Sequence, residues 1–219
     1  MKSTKLVVRV WLFLSVCVGS LMAADAVPSL NSKELAEGPY SFAHMLLEKT
    51  FLKVDVLTLD VRFSKPTQEK IVAIANGKPF SPALAKEVAP IAIGAERAVV
   101  QMKFVRDVGL DKWMDVLKDN IAQVRNANLI TSGLQKKVND NLPKTFAPIS
   151  ERGYLKGDRL LYEVRPESLR SVVVGADGKV LVDSINKEGD VARVVMAAFF
   201  APDSEFRTPL LKSLLKPGK

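Results

Sequence analysis

Apolar and polar positions alternate along KTFLKVDVLTLDVRF, from Lys49 to Phe63. Successive side chains of a strand point to opposite faces. Phe51, Lys53, Asp55, Leu57, Leu59 and Val61 therefore share one face, and Leu52, Val54, Val56, Thr58, Asp60 and Arg62 share the other. Lys53 and Asp55 fall on the more apolar face, where they either pair at the rim of a core or line a pocket. Residues 41–63 together predict a strand pair or one bent strand. Residues 27–40, with Pro28, Asn31, Gly38 and Pro39, read as an irregular lead-in.

Further along, Thr67–Ala75 reads as a helix stopped at Asn76–Gly77, and Ser81–Pro82 supplies an N-cap and first-turn proline for a helix to about Val88. In RAVVQMKFVRDV, Arg97 to Val108, the residues Ala98, Val100, Met102 and Phe104 share one side of a strand. The period then changes. Trp113, Val116, Leu117, Ile121 and Val124 recur at helical spacing, with Asp111 as the expected N-cap. A second helical stretch, 127–142, carries Ile130, Leu134, Val138 and Leu142. DRLLYEV, SLRSVVV and KVLVDS read as three strands, the last two joined by GADG at 175–178. VARVVMAAFF predicts a helix with Val191, Val194, Val195, Ala198 and Phe199 inward, and Thr208–Pro209 caps a closing helix with Leu210, Leu211, Leu214 and Leu215. Strands and helices come in blocks rather than strict alternation. That predicts an α+β fold, an antiparallel sheet with helices over one face.

The beginning of the chain follows a different rule. Lys2, Lys5 and Arg9 precede an apolar run from Val10 to Met22, and the small residues Ala23, Ala24 and Ala26 follow. A basic start, a short apolar run and an Ala-x-Ala end describe a secretory signal peptide. The expected organisation is a leader over 1–26, cleaved after Ala26 or Ala23, and one domain over 27–219, located in the periplasm or secreted. The run is too short to span a bilayer comfortably, so no integral span is expected once the leader is removed. A lipoprotein reading would use Cys17, but Val16 is bulky where a small residue is wanted. Cys17 is the sole cysteine of the chain, so the mature domain has neither a disulfide nor a thiol for catalysis or metal binding.

The formal net charge is +8, and loss of residues 1–26 removes Lys2, Lys5, Arg9 and Asp25. The remaining positive charge is scattered among acidic residues. Nucleic-acid binders gather it on one face, so no nucleic-acid partner is expected. His44 is the only histidine and no nucleophile elbow, phosphate loop or dinucleotide fingerprint is present. Neither metal nor cofactor is expected. One polar residue sits oddly: Asn120 lies on the apolar stripe of its helix, seven residues after Trp113 and beside Ile121. A buried Asn needs partners for its amide, either a neighbouring backbone or a ligand in an apolar pocket.

The order of segments resembles the chalcone isomerase-like family, in particular its secreted bacterial members, from about Tyr40 to Lys216. TFLKVDVLTLDV is similar to that family's early core strand and KFVRDVGLDKWMDVLKDNI to its strand-then-helix segment. LKGDRLLYEVRPESLRSVVVGADGK resembles its late hairpin, and TPLLKSLL its closing helix. The resemblance implies an open-faced β-sandwich, a large antiparallel sheet with helices layered on one face and a ligand cleft between them. It implies that Asp55 stands where the family has a cleft threonine, Trp113 where it has a tyrosine, and Asn120 where it has an asparagine. The family's anion-fixing arginine should fall in AHMLL, Ala43 to Leu47, which has none, and the remaining hydroxyl position falls near Ala198–Phe199. The same arginine holds the carboxylate in fatty-acid-binding members.

The expectation from this pattern is an exported, non-catalytic domain that binds a small apolar or amphipathic ligand, or serves as an interaction module. Lys53, Asp55, Trp113 and Asn120 are its candidate ligand-binding residues. The alternative is an isomerase, an intramolecular lyase of the chalcone–flavanone type, working with altered groups.

Overall fold

Among the described residues, six antiparallel strands lie in the sheet in their order along the chain. They are β1 (Phe42–Lys49), β2 (Val54–Phe63), β3 (Ala98–Phe104), β4 (Arg159–Arg165), β5 (Ser168–Val174) and β6 (Val180–Asn186). The computed structural model describes residues 26–49 and 54–216, with Glu48, Lys49, Val54 and Asp55 described through their backbone only. Residues 1–25 of the expected leader, Cys17 among them, and Lys53 lie outside the described residues. Among the described residues, no helix is long and apolar enough to cross a membrane.

Two strand connections make helical detours. Between β2 and β3 run α1 (Lys65–Ala75) and α2 (Pro82–Ile93), and between β3 and β4 run α3 (Leu110–Asn126) and α4 (Ser132–Thr145). After β6 come α5 (Gly189–Phe200) and α6 (Arg207–Leu214). Helix α5 packs on β4 and β5, α6 packs on β1, and α2 and α3 pack against α5. The result is an α+β fold, an open sheet with its helices layered on one face, as the block order predicts.

Period-two patterning decides which face is covered. Leu57, Leu59, Val61 and Phe63 of β2 are fully buried, as are Ala98, Val100 and Phe104 of β3. Their alternates carry the polarity of the other face: Asp60 takes His44 Nδ1 at 2.6 Å, Glu163 holds Arg97 and Arg165, and Arg170 donates two hydrogen bonds to Asp183. The lead-in contacts this same face through Glu34, which pairs with Arg97, and the carbonyl of Ala26, just ahead of it, accepts from Arg170 Nη1 at 3.0 Å. Leu161, Val172 and Val174 form a small apolar cluster separate from the main core.

Local signals hold in most places. Ser81 Oγ accepts from Leu84 N at 3.1 Å, and Asn76 ends α1 in the left-handed conformation. At the 175–178 turn Gly178 has φ +87°, and Asp177 Oδ1 accepts from Lys179 N at 3.0 Å. The Gly-Asp start of the late hairpin is a buried anchor. Asp158 is fully buried and accepts from Arg152 Nη1, Leu155 N and Ala176 N at 2.9, 2.9 and 3.1 Å.

Several boundaries differ from the sequence expectation. The residue capping α3 is Gly109, with Asp111 inside the first turn, where its charge still favours the positive end of the helix. The stretch expected over 127–142 becomes helical only at Ser132, because Thr131 Oγ1 caps it by accepting from Leu134 N, and Asn128 turns the chain with φ +58°. Helix α6 starts at Arg207, so Thr208 lies within it and does not cap. Helix α2 runs past Val88 to Ile93 and includes Pro90, since Ala89, Ala92 and Ile93 continue its buried face.

Candidate functional site

Large-to-small alternation on the inner face of the sheet leaves a gap under α5. In β4 the inward row is Leu160, Tyr162 and Val164, in β5 Leu169, Ser171 and Val173, and in β6 Val182, Ser184 and Asn186. Tyr162 stands directly opposite Ser171, and Ser171 directly opposite Ser184. Two serines in register fill less space than the branched residues around them, so the sheet floor is both recessed and polar at that row.

Above this row is a cavity of about 90 Å³. At ~10–15 Å³ for each water-sized sphere, it has room for roughly six to nine of them. That suits a slender chain or a single ring better than a three-ring molecule. Val191, Val194, Val195, Ala198 and Phe199 of α5 line one wall, and these are the five positions that the helical period assigns inward. Trp113, Leu117, Asn120 and Ile121 of α3 line a second wall, and Val138, Asn141, Leu142 and Thr145 of α4 a third. Val138 is the one buried residue of helix α4, which is the most lightly anchored of these walls. Lys137 Nζ ties it to Glu188 Oε2, just ahead of α5, at 2.5 Å.

No Asp, Glu, Lys, Arg or His is among the described residues that line the cavity. Its polar groups are neutral. Tyr162, Ser171 and Asn120 are 5%, 6% and 7% exposed, and none of the three side chains has a hydrogen-bond partner among the described residues. Burial pushes the Tyr162 phenol well above its ordinary value, so the hydroxyl remains a donor at any physiological pH. The Thr145 hydroxyl is already engaged, donating to Asn141 O at 3.2 Å, and Asn186 Oδ1 accepts from Glu188 N at 2.9 Å.

Trp113 extends the wall into an aromatic cluster. Its ring meets Phe104 edge-on at 5.3 Å and Tyr154 at 5.9 Å, while Phe104 and Tyr154 stack at 4.1 Å. Trp113 Nε1 and Tyr154 Oη are buried without partners. Burial, then Tyr162, then Asp158 raise the Tyr154 phenol well above its ordinary value.

Of the residues expected at a ligand site, Trp113 and Asn120 are brought together on the inner side of α3, lining the same cavity. Lys53 lies outside the described residues, and of Asp55 only the backbone is described, paired with Glu48 of β1. The described inward residues of β2, Leu57, Leu59 and Val61, belong to the main core and do not line the cavity, which sits over β3 to β6. His44 is on the opposite face, bound to Asp60. Among the described residues no group of three or more His, Cys, Asp or Glu is placed to hold a metal ion.

Nothing in the sequence alone marks Tyr162, Ser171 and Ser184 as site residues. The available signal was parity: in LLYEV, SLRSVVV and VLVDS each lies on the same face as buried Leu or Val. The chain matches no protein-family model, and no curated protein matches it.

Proposed function

We propose that this chain is an exported chalcone isomerase-like domain that holds a small apolar or amphipathic ligand and does not catalyse ring closure. The observation that carries the ligand reading is the cavity beneath α5, walled by apolar side chains and supplied with neutral polar groups that have no protein partner among the described residues. Small-molecule sites have this composition, mostly apolar with a few placed polar groups. The order of segments and the fold class support the family assignment. The basic, apolar and small-residue sequence of the first 26 residues supports export.

The case against catalysis is electrostatic. Closing a flavanone ring requires a phenolate to be held and an enolate to be stabilised, and preorganised charge is commonly the largest catalytic contribution. Ala43–Leu47 contains no arginine, and the described cavity lining contains no cation. Loss of one oxyanion donor alone costs about 10²–10³ in rate. The competing enzyme reading would draw on the neutral donors Tyr162 and Asn120. The test follows chalcone absorbance with the wild type and with Lys53→Ala. The expected result is a rate at the solution background for both. Robust turnover that vanishes in Lys53→Ala would establish the isomerase and make Lys53 the missing cation.

A further inference from the structure

A cavity wall that is almost entirely hydrocarbon still exposes a short polar row. Tyr162 and Ser171 face each other across β4 and β5, Ser184 continues the row on β6, and Asn120 faces the same space from α3. Tyr162, Ser171 and Asn120 are more than nine-tenths buried and have no partner among the described residues. Polar groups that line an apolar cavity and have no protein partner are available to hydrogen-bond an occupant.

The kind of occupant follows from what the wall lacks. A carboxylate or an ammonium carried into this space would lose its hydration and meet no opposite charge among the described lining residues. A neutral oxygen would lose far less and would regain hydrogen bonds from the Tyr162 hydroxyl, the Ser171 hydroxyl or the Asn120 amide. The narrow volume, about 90 Å³, favours an unbranched tail. We infer that the cavity selects a slender hydrocarbon carrying one neutral oxygen head group, an alcohol or a ketone, and rejects fatty carboxylates and alkyl ammonium ions. This inference rests on the reading of the cavity as a ligand site and adds the head-group chemistry.

The test titrates the mature chain, without the leader, by calorimetry at pH 7 with 1-octanol, 2-octanone, octanoate and octylammonium. Tail length is nearly constant and only the head varies. The expected result is saturable binding of the alcohol and the ketone, with both ions weaker by about a hundredfold or more. Tyr162→Phe and Ser171→Ala should each weaken the alcohol by about five- to tenfold, with unchanged thermal unfolding. Ala198→Leu, which fills the cavity from α5, should abolish binding. If that variant fails to fold, Tyr162→Phe, which removes a single oxygen atom, still locates the site. Octanoate binding within tenfold of octanol would overturn the neutral-head inference and leave the ligand reading standing. Failure of all four compounds to bind would overturn the ligand reading and this inference with it. Undiminished binding by Ala198→Leu would place the compounds elsewhere and overturn both.

Discussion

Truncating Trp113 to alanine removes the side chain that joins the cavity wall to the aromatic cluster. The ring is 3% exposed and meets both Phe104 and Tyr154 edge-on. Aromatic-to-alanine changes in a core cost about 3–5 kcal/mol. Two features set the position within that range. The new void merges with an existing cavity, which limits collapse and raises the cost. The lost Nε1–H is a buried donor without a partner, and its removal returns part of its desolvation penalty, about 1–3 kcal/mol. A net loss near 3 kcal/mol follows, equivalent to roughly 6–12 °C in melting temperature for a chain of this size. Trp113→Phe keeps a ring and drops the orphan donor, so it should cost no more than about 1.5 kcal/mol. Urea unfolding followed by far-ultraviolet circular dichroism measures both without relying on the tryptophan itself. A loss below 1 kcal/mol for Trp113→Ala would refute the claim that α3 presents this ring to the core.

Four further outcomes follow from the same reasoning. Asp158→Ala leaves Arg152 and two backbone N–H groups without their acceptor, and chemical denaturation should show a loss of about 3–5 kcal/mol; a loss under 1 kcal/mol would contradict its role as an anchor. Asp183 titrates below its ordinary value of 3.8, chiefly because Arg170 hydrogen-bonds its carboxylate. Its contribution is therefore present above about pH 4 and lost as pH falls through the lowered value, so the stability gap between wild type and Asp183→Asn should close in acid, and a gap that widens would be the wrong sign. Gly189→Ala would put a Cβ 1.9 Å from the Pro166 carbonyl oxygen at the start of α5. It should lower thermal stability and weaken octanol binding together, and a neutral melt would contradict the close approach. Lys137→Ala unties α4 from Glu188 and should speed octanol entry in stopped-flow measurements while changing the melting temperature little; an unchanged rate would show that α4 is not the wall that opens.

Alternation carried most of the architecture. The inward sets of β2 and β3 and the five cavity-lining positions of α5 are legible because burial follows a fixed period of 2 or 3.6 residues. Asn120 was legible for the opposite reason, a polar residue where the helical period demands an apolar one. Helix starts were less legible: Asp111 and Thr208 have capping side chains, but each helix is capped two residues earlier, at Gly109 and Phe206. The polar floor was hidden by register. Tyr162, Ser171 and Ser184 are 9 and 13 positions apart in the chain, and only the pairing of β4, β5 and β6 aligns them into one row. A serine among valines reads as ordinary strand composition until its cross-strand neighbours are known.

Native mass spectrometry of the mature protein, purified from the cells that make it and without detergent, shows directly whether the cavity is filled. A fraction of the wild type should carry one small neutral molecule that is absent from Ala198→Leu. Bare polypeptide alone, or an adduct that Ala198→Leu carries equally, would contradict it.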